Sequence, residues 1–208
     1  MRLSEVQKKL KNMVARIKDR LSQKAWKDAS LIAHGPNQSS LEDSDSPYAW
    51  QWFFREIGVK LLVSKSVYHL FDRNRQFGKK HECGGLLFVY NNHRDGVVLC
   101  LATPPNSKDK STRYSLDFNH ERCRIETKEA NEKNLRLVGY WHTHPEDIPD
   151  LSSQDMQSFR QLIKDNQHEL PSPFAIIVGR NSGPEGIRAW LIRGNTRFQA
   201  EFQLVTKE

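Results

Sequence analysis

The chain has 208 residues, 37% of them hydrophobic and 27% charged, with a formal net charge of +7. That length buries one ordinary core plus an extension. No apolar run reaches transmembrane length, and the basic N-terminus lacks the apolar stretch and small-residue cleavage site of a secretory signal. The three cysteines form no CxxC pair, and Cys83 and Cys100 lie in apolar runs. They read as reduced thiols of a cytoplasmic protein, and Cys123 with His120 reads as structural.

Residues 2–28 carry a helical pattern, with Leu3, Val6, Leu10, Met13, Val14, Ile17 and Leu21 at spacings of three and four. Nine Lys/Arg against three Asp/Glu between Met1 and Ser30 place most of the excess charge there. The stripe suits packing on its own domain or on a second copy, or binding a partner protein or an acidic membrane surface. No aromatic-interleaved basic groove points to nucleic acid. Residues 33–47 are polar and turn-rich, a linker. The expected organisation is thus a basic helical extension with linker over residues 1–47 and one domain over 48–208.

Within that domain, Tyr48–Phe54 reads as an edge strand or docking segment, and Val59–Val63 as a strand. Ser66–Phe77 reads as a helix with Val67, Leu70 and Phe71 facing inward. Strands are expected at Cys83–Tyr90 and Val97–Ala102, with a turn between them that includes His93. Residues 103–118 form an irregular excursion ending in a strand at Tyr114–Phe118, and Asn119–Asn134 is helix-compatible. A strand then enters through Arg136–Tyr140, and a helix starts at Ser152 or Ser153 with Met156, Phe159, Leu162 and Ile163 inward. Further strands follow at Phe174–Gly179, Ile187–Ile192 and Arg197–Val205. The whole is α+β, a mixed sheet flanked by helices.

One constellation carries chemistry. His142 and His144 sit at i and i+2 on a strand, so their imidazoles share a face while Trp141 and Thr143 point the other way. Pro145 ends the strand, and Glu146–Leu151 reads as a surface loop. Ser152 and Asp155, at i and i+3, share one side of the next helix start. Two imidazoles and a carboxylate are enough for a catalytic zinc with one open position. Glu82, at the head of the Gly84-Gly85 strand, would then be the acid/base beside the water, and Ser152 a hydrogen-bond donor to an oxyanion. The reaction class is metal-assisted hydrolysis of an amide.

The set Glu82 plus His142-x-His144-Pro145-x6-Ser152-x2-Asp155 resembles the JAMM (JAB1/MPN/Mov34) zinc metalloproteases. The resemblance implies an MPN-like fold, His142, His144 and Asp155 on one zinc ion, Glu82 activating water and Ser152 supporting the oxyanion. It implies cleavage after the C-terminal glycine of a ubiquitin-like protein. Glu82-Cys83-Gly84-Gly85-Leu86-Leu87, Ala102-Thr103-Pro104-Pro105 and Gly139-Tyr140-Trp141-His142 are similar to a bacterial branch found in CBASS antiphage operons. For that branch the implied substrate is a conjugated cGAS-like nucleotidyltransferase, and the implied opponent an E1–E2-like ligase. Maturation of a ubiquitin-like or sulfur-carrier protein would use the same chemistry, and a non-catalytic scaffold the same fold. Oligomeric state is not legible in the residues.

Overall fold

The computed structural model describes residues 46–205. The expected N-terminal helix over 2–28, and all but the last two residues of the linker, lie outside them. Eleven strands and three α-helices follow in chain order. They are β1 (Tyr48–Phe54), β2 (Val59–Ser64), α1 (Lys65–Arg73), β3 (Gly84–Tyr90) and β4 (Val97–Ala102). Next come β5 (Lys110–Ser111), β6 (Leu116–Asp117), α2 (His120–Glu132), β7 (Leu135–Thr143) and α3 (Ser153–Asp165). The chain finishes with β8 (Phe174–Val178), β9 (Ile187–Arg193), β10 (Thr196–Gln199) and β11 (Glu201–Gln203). This is the mixed, helix-flanked sheet expected. Among the described residues no helix is long and apolar enough to cross a membrane.

Nine strands form one sheet in the order β10-β9-β8-β7-β3-β4-β2-β1-β11. The pairs β2–β4 and β7–β8 are parallel and the rest antiparallel. Central strands read as continuous apolar runs, Phe174–Val178 being wholly buried, because both faces are covered. On one face Trp50, Trp52, Phe54, Leu61, Leu87, Trp141 and Ile176 surround Val67, Leu70 and Phe71 of α1. On the other, Ala175, Ile177, Trp190 and Ile192 meet Met156 and Phe159 of α3, while Leu86, Phe88 and Leu135 meet Ala130 of α2.

Three boundaries differ from expectation. The first helix stops at Arg73, not Phe77, because Asn74 takes the cap position and its side-chain amide donates to Leu70 O at 2.8 Å. Residues 74–83 are thereby free to form the approach to β3. The Tyr114–Phe118 strand shrinks to a two-residue ladder, β5 with β6. The C-terminal strand over Arg197–Val205 divides at Ala200, whose N–H donates to Ala189 O at 2.9 Å. Before that residue the chain pairs with β9, and after it with β1. One continuous segment therefore joins both margins of the sheet. As a result β1 is no edge strand, and its alternating Trp50, Trp52 and Phe54 are buried.

Cys83, Cys100 and Cys123 are free thiols. Burial pushes Cys100 up to about 12 and Cys123 up to about 11, so both stay protonated and inert at neutral pH.

The irregular excursion is anchored by a buried cation. Arg122, 2% exposed, makes two bonds to the Asp109 carboxylate at 3.0 and 2.7 Å and one to Glu126 at 2.6 Å. Its guanidinium also lies over the Phe118 ring, 4.9 Å from the centroid. Removing only the cation strands two carboxylates, a loss of about 3–5 kcal/mol. Arg122→Met should lower the urea-unfolding free energy by about that amount; a change below about 1 kcal/mol would mean the excursion is held by other contacts.

Candidate metal centre

A parallel pair joined by a helix constrains where the helix begins. The connection from β7 to β8 must run back antiparallel to the strands, so α3 starts at the carboxyl end of β7. His142 lies in the last turn of that strand's pleat, and His144 extends it, its N–H donating to Val178 O at 2.9 Å. Tyr140, two residues earlier on the same face, stacks on Phe159 of α3 at 5.2 Å. The face carrying Tyr140, His142 and His144 is thus the face against which α3 packs. Trp141 points the other way, onto Phe71 at 5.2 Å, and Thr143 is fully buried.

The structure brings His142, His144 and Asp155 together. The two Nε2 atoms are 3.0 Å apart. Asp155 places Oδ1 3.0 Å from His142 Nε2 and Oδ2 3.5 Å from His144 Nε2. Among the described residues this is the one group of three such side chains whose donor atoms all lie within 4.8 Å of one another. Ligand atoms about 2.0–2.1 Å from a tetrahedral zinc are about 3.3 Å apart, so the spacing suits such an ion. The donor set also suits it, since two nitrogens and one carboxylate oxygen leave a fourth position open.

Asp155 owes its aim to helix capping. Ser152 is the N-cap of α3 and Asp155 its N3 residue, and the two form a capping box. Ser152 N and Oγ both donate to Asp155 Oδ2, at 2.8 and 2.6 Å, while Asp155 N donates to Ser152 Oγ at 3.1 Å. The Ser152 hydroxyl has one proton, and here it is directed at the acid and not outward.

Glu82 approaches the same cluster from the segment just before β3. The antiparallel register pairs Gly84 with His142, and Thr143 N donates to Cys83 O at 2.9 Å. Continuing that register sets Glu82 opposite His144. Its own N–H donates to Thr112 O at 2.8 Å, from the excursion. Glycines are required just beyond it: a Cβ on Gly84 would lie 2.2 Å from Trp141 O, and one on Gly85 2.0 Å from Thr103 O.

Burial and neighbouring groups shift Glu82, His144 and Asp155 in different directions. Burial pushes Glu82 up to about 7, His144 opposing and the charges of Asp155 and Glu146 adding to the rise. Burial also acts to raise Asp155, yet hydrogen bonds from His142, His144 and Ser152 hold it well below the usual carboxylate range. Burial acts to lower His144, but Asp155, Glu82 and Glu146 together raise it. Three acids around one imidazole make a place that favours positive charge.

Glu146 escaped the sequence reading, which left it in a surface loop. Its Oε2 lies 3.1 Å from His144 Nδ1. A carboxylate there fixes which imidazole nitrogen carries the proton and leaves Nε2 free to donate its lone pair. The available signal was an acid two residues beyond a strand histidine, with only Pro145 between.

The family model described as prokaryotic homologs of the JAB domain matches residues 64–193, a span containing all five candidate residues. Two curated proteins named CD-NTase/cGAS isopeptidase are similar to the chain. The one from Pseudomonas aeruginosa (strain BWHPSA011 / Pa011) is 34% identical over 137 residues, covering 63% of this chain and 84% of that protein. The one from Vibrio cholerae serotype O1 is 34% identical over 125 residues, covering 59% and 71%. A solution structure of a protein from Desulfitobacterium hafniense aligns with a TM-score of 0.47 at 17% identity, over 69% of this chain and 90% of that one.

The raised Glu82 has a consequence for stability. Unfolded, this carboxyl ionises near its ordinary 4.5; folded, it holds its proton to about 7. Its contribution is therefore complete below pH 4.5 and disappears as pH rises through about 7. In metal-free protein, urea unfolding at about pH 5 and about pH 8 should show wild type losing stability relative to Glu82→Gln as pH rises. Parallel pH profiles would count against the buried, proton-holding carboxyl.

Proposed function

The chain belongs to the prokaryotic homologs of the JAB domain, and on that footing we propose that it is a zinc-dependent isopeptidase that releases a conjugated cGAS-like nucleotidyltransferase, or a glycine-ended ubiquitin-like protein, in CBASS-type antiphage defence. The observation that carries the catalytic part is the meeting of His142, His144 and Asp155 beneath Glu82. The substrate rests on the two relatives named CD-NTase/cGAS isopeptidase. A conjugating enzyme of E1–E2 type would be the activity it opposes in the cytoplasm. The catalytic unit is the domain over residues 48–208, with residues 1–47 an extension to it.

His142 Nε2, His144 Nε2 and Asp155 would hold the ion. When bound, zinc supplies Lewis-acid polarisation of the scissile carbonyl and makes water acidic enough to ionise near neutral pH. Glu82 takes a proton from the attacking water as oxygen bonds to the carbonyl carbon. It returns that proton to the nitrogen as the C–N bond breaks, so a carboxylic acid and an amine leave. Burial raises Glu82 in the ion-free protein, and a bound cation would draw it back towards the ionised form that accepts a proton from water. Ser152 first orients Asp155; for the oxyanion its O–H turns away from Oδ2, while its backbone N–H keeps that oxygen at 2.8 Å. Three converging donors and a buried acid beside them favour an active enzyme over a scaffold.

The direct test is incubation with glycine-ended fusions and with a nucleotidyltransferase conjugate, with and without chelator, the cleavage point being read by mass. Cleavage after the glycine should stop on chelation and return with zinc. Glu82→Gln should keep one zinc per chain yet lose at least about 100-fold in rate. His142→Ala and Asp155→Ala should lose both metal and rate. Full activity in Glu82→Gln, or indifference to chelator, would overturn the assignment.

A further inference from the structure

Behind the centre lies a buried polar group that neither the ligand set nor the base accounts for. Thr143 sits between His142 and His144 but faces the opposite side of β7, and it is fully buried. Its Oγ1 accepts from Cys83 N at 3.0 Å and donates to Gln76 Oε1 at 3.3 Å. Gln76 is 2% exposed. Its side-chain nitrogen donates to Lys80 O and to Arg113 O, both at 2.8 Å. The three backbone groups so held bracket Glu82. Lys80 and Cys83 stand before and after it, and Arg113 follows Thr112, whose carbonyl accepts the Glu82 N–H.

An apolar pair of similar volume would fill this space without the need to match every donor and acceptor, and is often the more stable choice. What the hydroxyl and amide add is a fixed distance. They tie the ligand-bearing strand to the turn that carries the base, from the side away from the substrate.

We propose that Thr143 and Gln76 are positioning residues for Glu82, holding residues 80–83 in register with β7 so that base and metal ligands keep one spacing. The inference rests on the reading of Glu82 as the base. Thr143→Val keeps the shape and removes both hydrogen bonds. It should lower kcat about 10- to 100-fold with KM within about two-fold, and should retain one zinc per chain. Thr143→Ser restores the oxygen and should return kcat to within about three-fold of wild type. Gln76→Leu should show the same division between kcat, KM and zinc, and decides the matter if Thr143→Val does not fold. Amide hydrogen exchange over residues 79–84 supplies a readout independent of catalysis: it should quicken about ten-fold in Thr143→Val and remain slow in Thr143→Ser.

Wild-type kcat or unchanged exchange in folded Thr143→Val would overturn the inference, as would Ser rescuing no better than Val. Zinc lost in proportion to rate would also overturn it, because the ligands and not the base would have moved. If Glu82→Gln is inactive while Thr143→Val is normal, only the positioning inference fails. If Glu82→Gln is as active as wild type, the base assignment itself fails.

Discussion

The parallel crossover from β7 to β8 governs the rest of the site. Strand pairing of this kind forces the connecting helix to begin where the first strand ends. Two histidines at that strand's end and an acid in the first turn of α3 are then brought together by topology, with no long loop needed to fetch a ligand. Rigid elements hold side chains within tighter limits than loops do. The segment leading into the antiparallel neighbour β3 brings Glu82 to the same end, since the start of β3 lies across from the finish of β7.

A local stabilising device also shapes the cluster. A capping box satisfies the first amides of α3, and the acid that completes it is the one facing both imidazoles. A helix start favours negative charge, so the carboxylate is well placed as an anion. Glu82 has the opposite environment: buried, near other acids, and inclined to keep its proton. Two carboxyls a short distance apart thus differ widely in acidity, which suits one to bind a cation and the other to carry protons.

Much of this was legible in the residues, for physical reasons. Strand periodicity put His142 and His144 on one face, and the Ser-x-x-Asp spacing put Asp155 on the helix start. Apolar runs marked the central strands. What escaped was decided by how the folded chain disposes side chains that the pattern leaves open. Asn74 ends the first helix by capping onto Leu70 O, and Gln76 beyond it is held by Arg113 from the excursion. Tyr48–Phe54 resembles an edge until the C-terminal segment is seen to cover it. Glu146 looks like a solvent-facing loop acid until the fold turns it onto His144.

The segment from Thr196 to Gln203 has a consequence of its own. By crossing from β9 to β1 at Ala200 it works as a clasp, reinforced by the two-pronged Arg55–Glu201 pair and the Gln51–Gln203 amide contact. Sheets with open flanks invite neighbouring molecules to dock strand upon strand and so to aggregate. Here two stubs, four and three residues long, cover Trp190–Arg193 of β9 and Gln51–Phe53 of β1. A sheet rich in buried Val, Ile and Leu thereby leaves less bare backbone on which its own polymerisation could be templated.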